Sequence, residues 1–140
     1  MKSREDVLTG LVGKWVSKAE LDLAACDVLS EQPSVLGGIV AFHAQQVVEK
    51  YMKAALTWRQ VDFRKTHDLG ILLSLLARTD ESLQDELLSV VVLTDYGVEV
   101  RYPGDLPEVS AEEAREAVRL ARLARDAIRN LLPQDSFPAN

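Results

Sequence analysis

Histidine, amide and amine side chains recur at helical spacing in the middle of the chain, where His43, Gln46, Lys50 and Thr57 follow one another at steps of three, four and seven. At about 100° per residue these positions align along one edge of a helix. A row of this kind suits contact with a phosphate or a base, because the amine carries charge, the amide both donates and accepts, and the ring donates or takes a proton. It equally suits a solvated helix edge, and periodicity alone does not separate the two. Further along, Lys65 and His67 stand in a short basic connection with Arg64, and Arg101-Tyr102 precedes Pro103-Gly104. Lysine and arginine are phosphate anchors, and tyrosine offers a ring on which a base can stack.

A carboxylate completes the set. Asp22 interrupts the apolar face of the first helix, where it must be paired or hydrogen-bonded. It either caps or salt-bridges a neighbouring helix, or orients His43 or Lys50 across a helix pair. Established catalytic constellations are missing. Two histidines and one cysteine exclude the usual zinc sets. Gly37-Gly38 lacks the spacing of a phosphate loop, no serine stands in a nucleophile elbow, and no Glu-x-x-His pair offers a two-metal site. No catalytic residue, metal or cofactor is therefore assigned.

The elements that must position these groups read as helices throughout. The first runs from about Arg4 to Ser30 on a stripe of Leu8, Val12, Trp15, Ala19, Leu23 and Cys26. Pro33 breaks the chain, and a second helix from about Ser34–Gly38 to Trp58–Gln60 carries the polar row. Its Val47, Val48, Tyr51, Ala54, Ala55 and Trp58 face a core, and Gly37-Gly38 either lets the first helix approach or delays the onset. Thr66 is the expected N-cap of a short third helix that buries Leu69, Leu72, Leu73 and Leu76, with Asp68 in its first turn. A fourth helix is expected from about Glu81 to Val100. Its Leu87–Leu93 run is apolar on nearly all sides and needs cover from a second subunit or a central position. Ser110-Ala111-Glu112-Glu113 is a capping box opening the fifth helix. There Ala114, Ala117, Val118, Ala121, Ala124, Ile128 and Leu131 form the core stripe. Arg115, Arg119, Arg122, Arg125 and Arg129 fall on the far side, as a solvated face or as a docking strip for phosphate or for an acidic partner.

Composition agrees with one all-α domain. The chain has 140 residues, 47% of them hydrophobic and 27% charged, enough to bury a core without staples. The expected organisation is a helical bundle over residues 1–132 followed by a disordered tail, 133–140. A net charge of −6 means that any nucleic-acid contact needs a local basic patch. Cys26, the single cysteine, fits a reducing compartment and a core position. No run approaches a membrane span and the N-terminus lacks a signal-peptide core, so a soluble cytoplasmic protein with no membrane association is expected.

Taken together, Trp15-x3-Ala19-x2-Asp22-Leu23, Phe42-His43-Ala44-Gln45-Gln46-x2-Glu49-Lys50-x2-Lys53-Ala54, Lys65-Thr66-His67-Asp68-Leu69 and Arg101-Tyr102-Pro103 resemble the HEPN domain family over about residues 10–132. The resemblance implies a five-helix, mostly antiparallel up-and-down bundle and a homodimer. Small prokaryotic members are commonly encoded beside a minimal nucleotidyltransferase and act with it as a toxin–antitoxin pair. Many members are metal-independent ribonucleases whose signature is an arginine followed by a histidine at the end of the fourth helix. Here Arg101 matches that arginine, but Leu106, Pro107 and Glu108 occupy the positions of the histidine, and its general-base role is unfilled.

The reading is therefore a non-catalytic nucleotide-binding or nucleotidyltransferase-partner module. His43, Gln46, Lys50, Lys65, His67, Arg101 and Tyr102 would contact nucleotide, phosphate or RNA, and Asp22, Glu49 and Asp68 would form a structural polar network. One alternative is a dimeric endoribonuclease toxin using Arg101 and a surrogate base. The other is a purely structural helical adaptor.

Overall fold

A computed structural model describes residues 1–97 and 108–137. Those residues form α1 (Arg4–Leu29), α2 (Pro33–Trp58), α3 (Leu69–Ala77), α4 (Ser82–Leu87) and α5 (Ala111–Arg129). A 3-10 helix, Leu88–Gly97, continues α4, and a 3-10 turn, Gln134–Ser136, follows α5. The described residues contain no strand, and the all-α bundle expected from the helical periodicity is what is observed.

Local chemistry sets the ends of the long helices. The Ser3 hydroxyl accepts from the Asp6 amide at 3.1 Å while Asp6 accepts from the Ser3 amide at 3.2 Å, a capping box that opens α1. Pro33 begins α2 at a position where its missing N–H costs nothing. Ser110 and Glu113 make the anticipated box at α5, with reciprocal bonds of 3.0 and 3.3 Å. At the far end of α2 the Val61 amide bonds to the Leu56 carbonyl at 2.9 Å and Gln60 adopts a φ of 57°. This left-handed close turns the chain back over α1 and α2, where Phe63 meets Trp15 with ring centroids 6.4 Å apart.

Helix α2 is the axis of the bundle, packed by α1, α3, α5 and the 3-10 helix. Its core positions Val47, Val48, Tyr51, Ala54 and Ala55 are buried, while Trp58 is half-buried at the end of the stripe. On α1, Val16 joins Val12, Ala19, Leu23 and Cys26 inside, and Trp15 sits at the edge. Gly37 makes room for a close approach, but by the backbone leading into α5 rather than by α1: a Cβ on Gly37 would lie 2.6 Å from the Val109 carbonyl oxygen. Gly38 faces open space.

Three expectations are corrected. Asp68, not Thr66, is the N-cap of α3: its carboxylate accepts from the amides of Gly70 and Ile71 at 2.8 and 3.2 Å. The expected long fourth helix is a six-residue α-helix that tightens into a 3-10 helix. Three residues per turn stack Leu87, Val90 and Leu93 on one buried ridge and leave Leu88 and Val92 exposed. Residues 133–137 are not a loose tail. Ser136 is buried, its carbonyl lies against Gly13, and the Arg129 guanidinium stacks 3.8 Å from the Phe137 ring centroid. The arginines of α5 explain this order.

Three of those arginines, Arg122, Arg125 and Arg129, clamp α5 to other helices, while Arg115 and Arg119 stay on the expected solvated face, Arg119 paired with Glu116 of its own helix. Arg125 makes a two-pronged contact with Glu20, both bonds 2.8 Å, and Arg122 pairs with Asp27. The Tyr51 hydroxyl donates to Glu20 at 2.7 Å and accepts from Arg129 at 3.2 Å. Arg125 above all, against a smaller opposing effect of burial, holds the Glu20 carboxyl below its usual range. Burial first, and then the bond to Glu20, push the Tyr51 phenol up to about 12. A depressed carboxylate pKa stabilises the fold above the unfolded value of 4.5 and is lost as pH falls through the folded value. Urea midpoints measured from pH 7 to pH 3 should therefore fall less steeply below pH 4.5 in Glu20→Gln than in the parent.

Candidate functional site

The polar row of α2 resolves into two clusters, each centred on an inward carboxylate. In the first, Asp22 reaches from α1 between His43 and Lys50 of the row. His43 Nδ1 lies 2.8 Å from Asp22 Oδ1, and Lys50 Nζ donates to Asp22 Oδ2. Both carboxylate oxygens are thereby satisfied at a largely buried position, as desolvation requires. The imidazole is fixed through Nδ1, and the His43 and Lys50 side chains keep an edge in solvent.

The second cluster gathers around Glu49, whose side chain is only 5% exposed. Lys53, one turn on and 8% exposed, donates to its Oε2 at 3.0 Å. His67 Nδ1 lies 2.8 Å from Oε1, and the fully buried Gln45 amide donates to the same oxygen at 3.3 Å and to the His67 carbonyl at 3.0 Å. The Gln46 side-chain amide donates to Gln45 Oε1 at 2.7 Å, so the row turns inward through a chain of side-chain amides. The Lys53 ammonium also sits 5.7 and 6.0 Å from the ring centroids of Trp15 and Phe63. A buried ammonium is thus matched by one carboxylate and two aromatic faces.

The loop 59–68 is fastened by this second cluster while its outer surface stays open. His67 is 71% exposed, and Lys65 is exposed with no ion pair among the described residues. Asp68 stands apart from both clusters, since its carboxylate caps α3. Arg101 and Tyr102 lie outside the described residues. The described chain leads toward them at Gly97, where a Cβ would lie 2.8 Å from Gln45 Cδ, and resumes at Glu108, next to the Val109 contact with Gly37. Gly97 and Val109 thus both lie against α2.

From the sequence, Gln45, Lys53, Tyr51 and Glu20 carry no site role, although Tyr51 is expected in the core and Gln45 and Lys53 stand in the second motif of the resemblance. A signal existed for two of them: Gln45, Glu49 and Lys53 are spaced four apart and so share a flank of α2. Nothing comparable marks Glu20, whose partner Arg125 is 105 residues away. Cys26 is buried beside the first cluster with its Sγ 3.6 Å from the Val40 carbonyl. Burial first, and then the charges of Asp22 and Asp27, push its thiol up to about 12. A chromogenic disulfide reagent at pH 8 should therefore label the folded protein at least about 100-fold more slowly than the urea-unfolded chain, because the thiolate is the reacting species.

The clusters perform a defined chemistry. Each neutralises a lysine and orients an imidazole, so α2 presents the His43 ring and the Lys50 amine, and the adjoining loop presents the His67 ring, with their inner atoms already committed. The described residues contain no group of histidine, cysteine and carboxylate side chains able to hold a metal, and no described helix is long and apolar enough to cross a membrane. Comparison with curated proteins and with solved structures gives no match. The family model of the HEPN domain matches residues 12–131, nearly the whole chain and every residue of both clusters. The chain belongs to the HEPN domain family.

Proposed function

We propose that this HEPN domain is a non-catalytic binding module, which recognises a nucleotide or a minimal nucleotidyltransferase partner in a toxin–antitoxin-like pair. A HEPN domain is in general a nucleotide- or RNA-related module; the finer reading is supported by where the imidazoles are. The chain has two histidines, and each is bonded through Nδ1 to a carboxylate partnered on α2. None follows Arg101, where Leu106, Pro107 and Glu108 stand. The recognition edge comprises His43, Gln46 and Lys50 with the open side of the loop, Lys65 and His67, and it takes Arg101 and Tyr102 as phosphate and base contacts.

Calorimetric titration with ATP, GTP and AMP tests the nucleotide half. Binding weakened about tenfold by Lys65→Ala or Arg101→Ala, with an unchanged melting temperature, is expected, since one charged contact contributes about 1.5 kcal/mol. No heat from any of the three at millimolar concentration overturns it. Co-purification with a nucleotidyltransferase encoded next door tests the other half. The module acts as a homodimer in this proposal, with Leu88 and Val92 as exposed apolar surface for the partner copy. Light scattering that gives a monomer at micromolar concentration removes that element.

A further inference from the structure

The solvent face of α1 combines exposed apolar residues with lysines that are unpaired among the described residues. Val7, Leu11, Leu21 and Val28 stand open on it, Leu21 at 72% and Val28 at 67% exposure. The three acids between Val7 and Val28 are each turned to another helix: Glu20 to Arg125, Asp22 to His43 and Lys50, Asp27 to Arg122. The cations of the same stretch behave oppositely. Lys14 and Lys18 lie one turn apart, exposed and without an ion pair among the described residues. A chain of net charge −6 thus displays one helix face that is apolar and cationic, with its acids withdrawn.

A second observation falls on the same face. A groove of about 430 Å³ lies between α1 and the C-terminal turn, lined by Gly10, Gly13, Lys14, Lys18 and Phe137 among others. The missing side chain of Gly13 is explained by the Ser136 carbonyl, which a Cβ would meet at 3.1 Å. Gly10 has no such reason, since a Cβ there would meet nothing within 4 Å. The groove therefore has room for an apolar side chain from outside, with an ammonium on hand for a neighbouring charge.

Charge selects the occupant. A second copy docked symmetrically through this face would bring two pairs of lysines together. An anionic bilayer is broader than this face and would meet the rest of a molecule of net charge −6 as well as the two lysines. A single helix that alternates apolar and acidic residues touches this face alone, where its carboxylates lie against the two lysines while acids farther off than about 8 Å are screened. We propose that the α1 face is the docking surface for an acidic amphipathic helix of a partner protein. One apolar residue of that helix seats between Gly10 and Phe137, and its carboxylates meet Lys14 and Lys18. This proposal does not depend on nucleotide recognition at α2, and none of these residues belongs to either cluster.

The test is fluorescence anisotropy with a labelled synthetic helix built from Leu, Ala and Glu, beside a counterpart with Lys in place of Glu. The acidic peptide is expected to bind at least tenfold more tightly than the basic one. Lys14→Glu with Lys18→Glu should reverse that preference. Gly10→Leu, which fills the groove, should weaken the acidic peptide tenfold, with circular dichroism showing that the variants remain folded. Equal binding of the two peptides, or none, overturns the proposal. So does binding to phosphatidylglycerol vesicles, or a dimer in light scattering, that the double lysine reversal abolishes.

Discussion

Replacing Glu49 by alanine is expected to lower the unfolding free energy by about 3–5 kcal/mol, the cost of leaving a buried charge without its counter-ion. Lys53 would keep an ammonium that is 8% exposed and lose its carboxylate. Gln45 would lose one of its acceptors at a position with no access to water. His67 would lose one of the two bonds that tie it to α2, keeping the one from Gln45 to its carbonyl. Each effect has the same sign, and the ammonium dominates because the nearby Trp15 and Phe63 rings offer only a weak substitute for a carboxylate. Replacing Glu49 and Lys53 together by leucine should recover most of the loss, since an apolar pair removes the desolvation cost with the charges. Urea unfolding of the two variants checks both statements. A loss below about 1 kcal/mol in Glu49→Ala, typical of an exposed pair, would show that the cluster is solvated.

Adjacent glycines should respond to the same substitution with opposite signs. Gly37→Ala places a methyl group 2.6 Å from the Val109 carbonyl oxygen, which belongs to the backbone leading into α5. Backbone cannot rotate aside as a side chain does, so the entry to α5 must shift, at about 1–3 kcal/mol. Gly38→Ala meets nothing within 4 Å and sits inside a helix. There alanine should stabilise by about 0.5–1 kcal/mol, because it restricts the unfolded chain more than the folded one. Melting curves of the two variants make the comparison, and a loss in both would mean that the helix start at Pro33 tolerates no change of any kind.

Helix positions were legible wherever apolar spacing and a cap agreed. α1, α2 and α5 each carry a long stripe of buried residues, and α5 opens on a box readable from Ser110 and Glu113 alone. The fourth helix failed the same reading for a physical reason. Leu87, Val90 and Leu93 are spaced by three, which fits a 3-10 helix better than an α-helix, and stiff Val90, Val91 and Val92 resist the α-helical turn. The tail failed because the cover for Phe137 comes from Arg129, which helical spacing alone placed on the solvent side.

Asp22 was conspicuous from the sequence as a charge on an apolar face, and its two partners, His43 and Lys50, were among the groups named for it. The partition of the row was not legible. Gln46 and Lys50 are neighbours on one helix edge, yet one leads to Glu49 through Gln45 and the other to Asp22 on α1. That choice depends on which elements pack at each flank of α2. Spacing along one helix carries no information about it.

Non-catalytic recognition is the central claim, and RNA cleavage tests it most directly. The purified 140-residue chain, incubated with single-stranded and structured RNA in EDTA, is predicted to leave both intact, and Arg101→Ala to behave the same way. Metal-independent cleavage by the parent that disappears in Arg101→Ala would contradict the account and establish the arginine, with a surrogate base, as a ribonuclease centre.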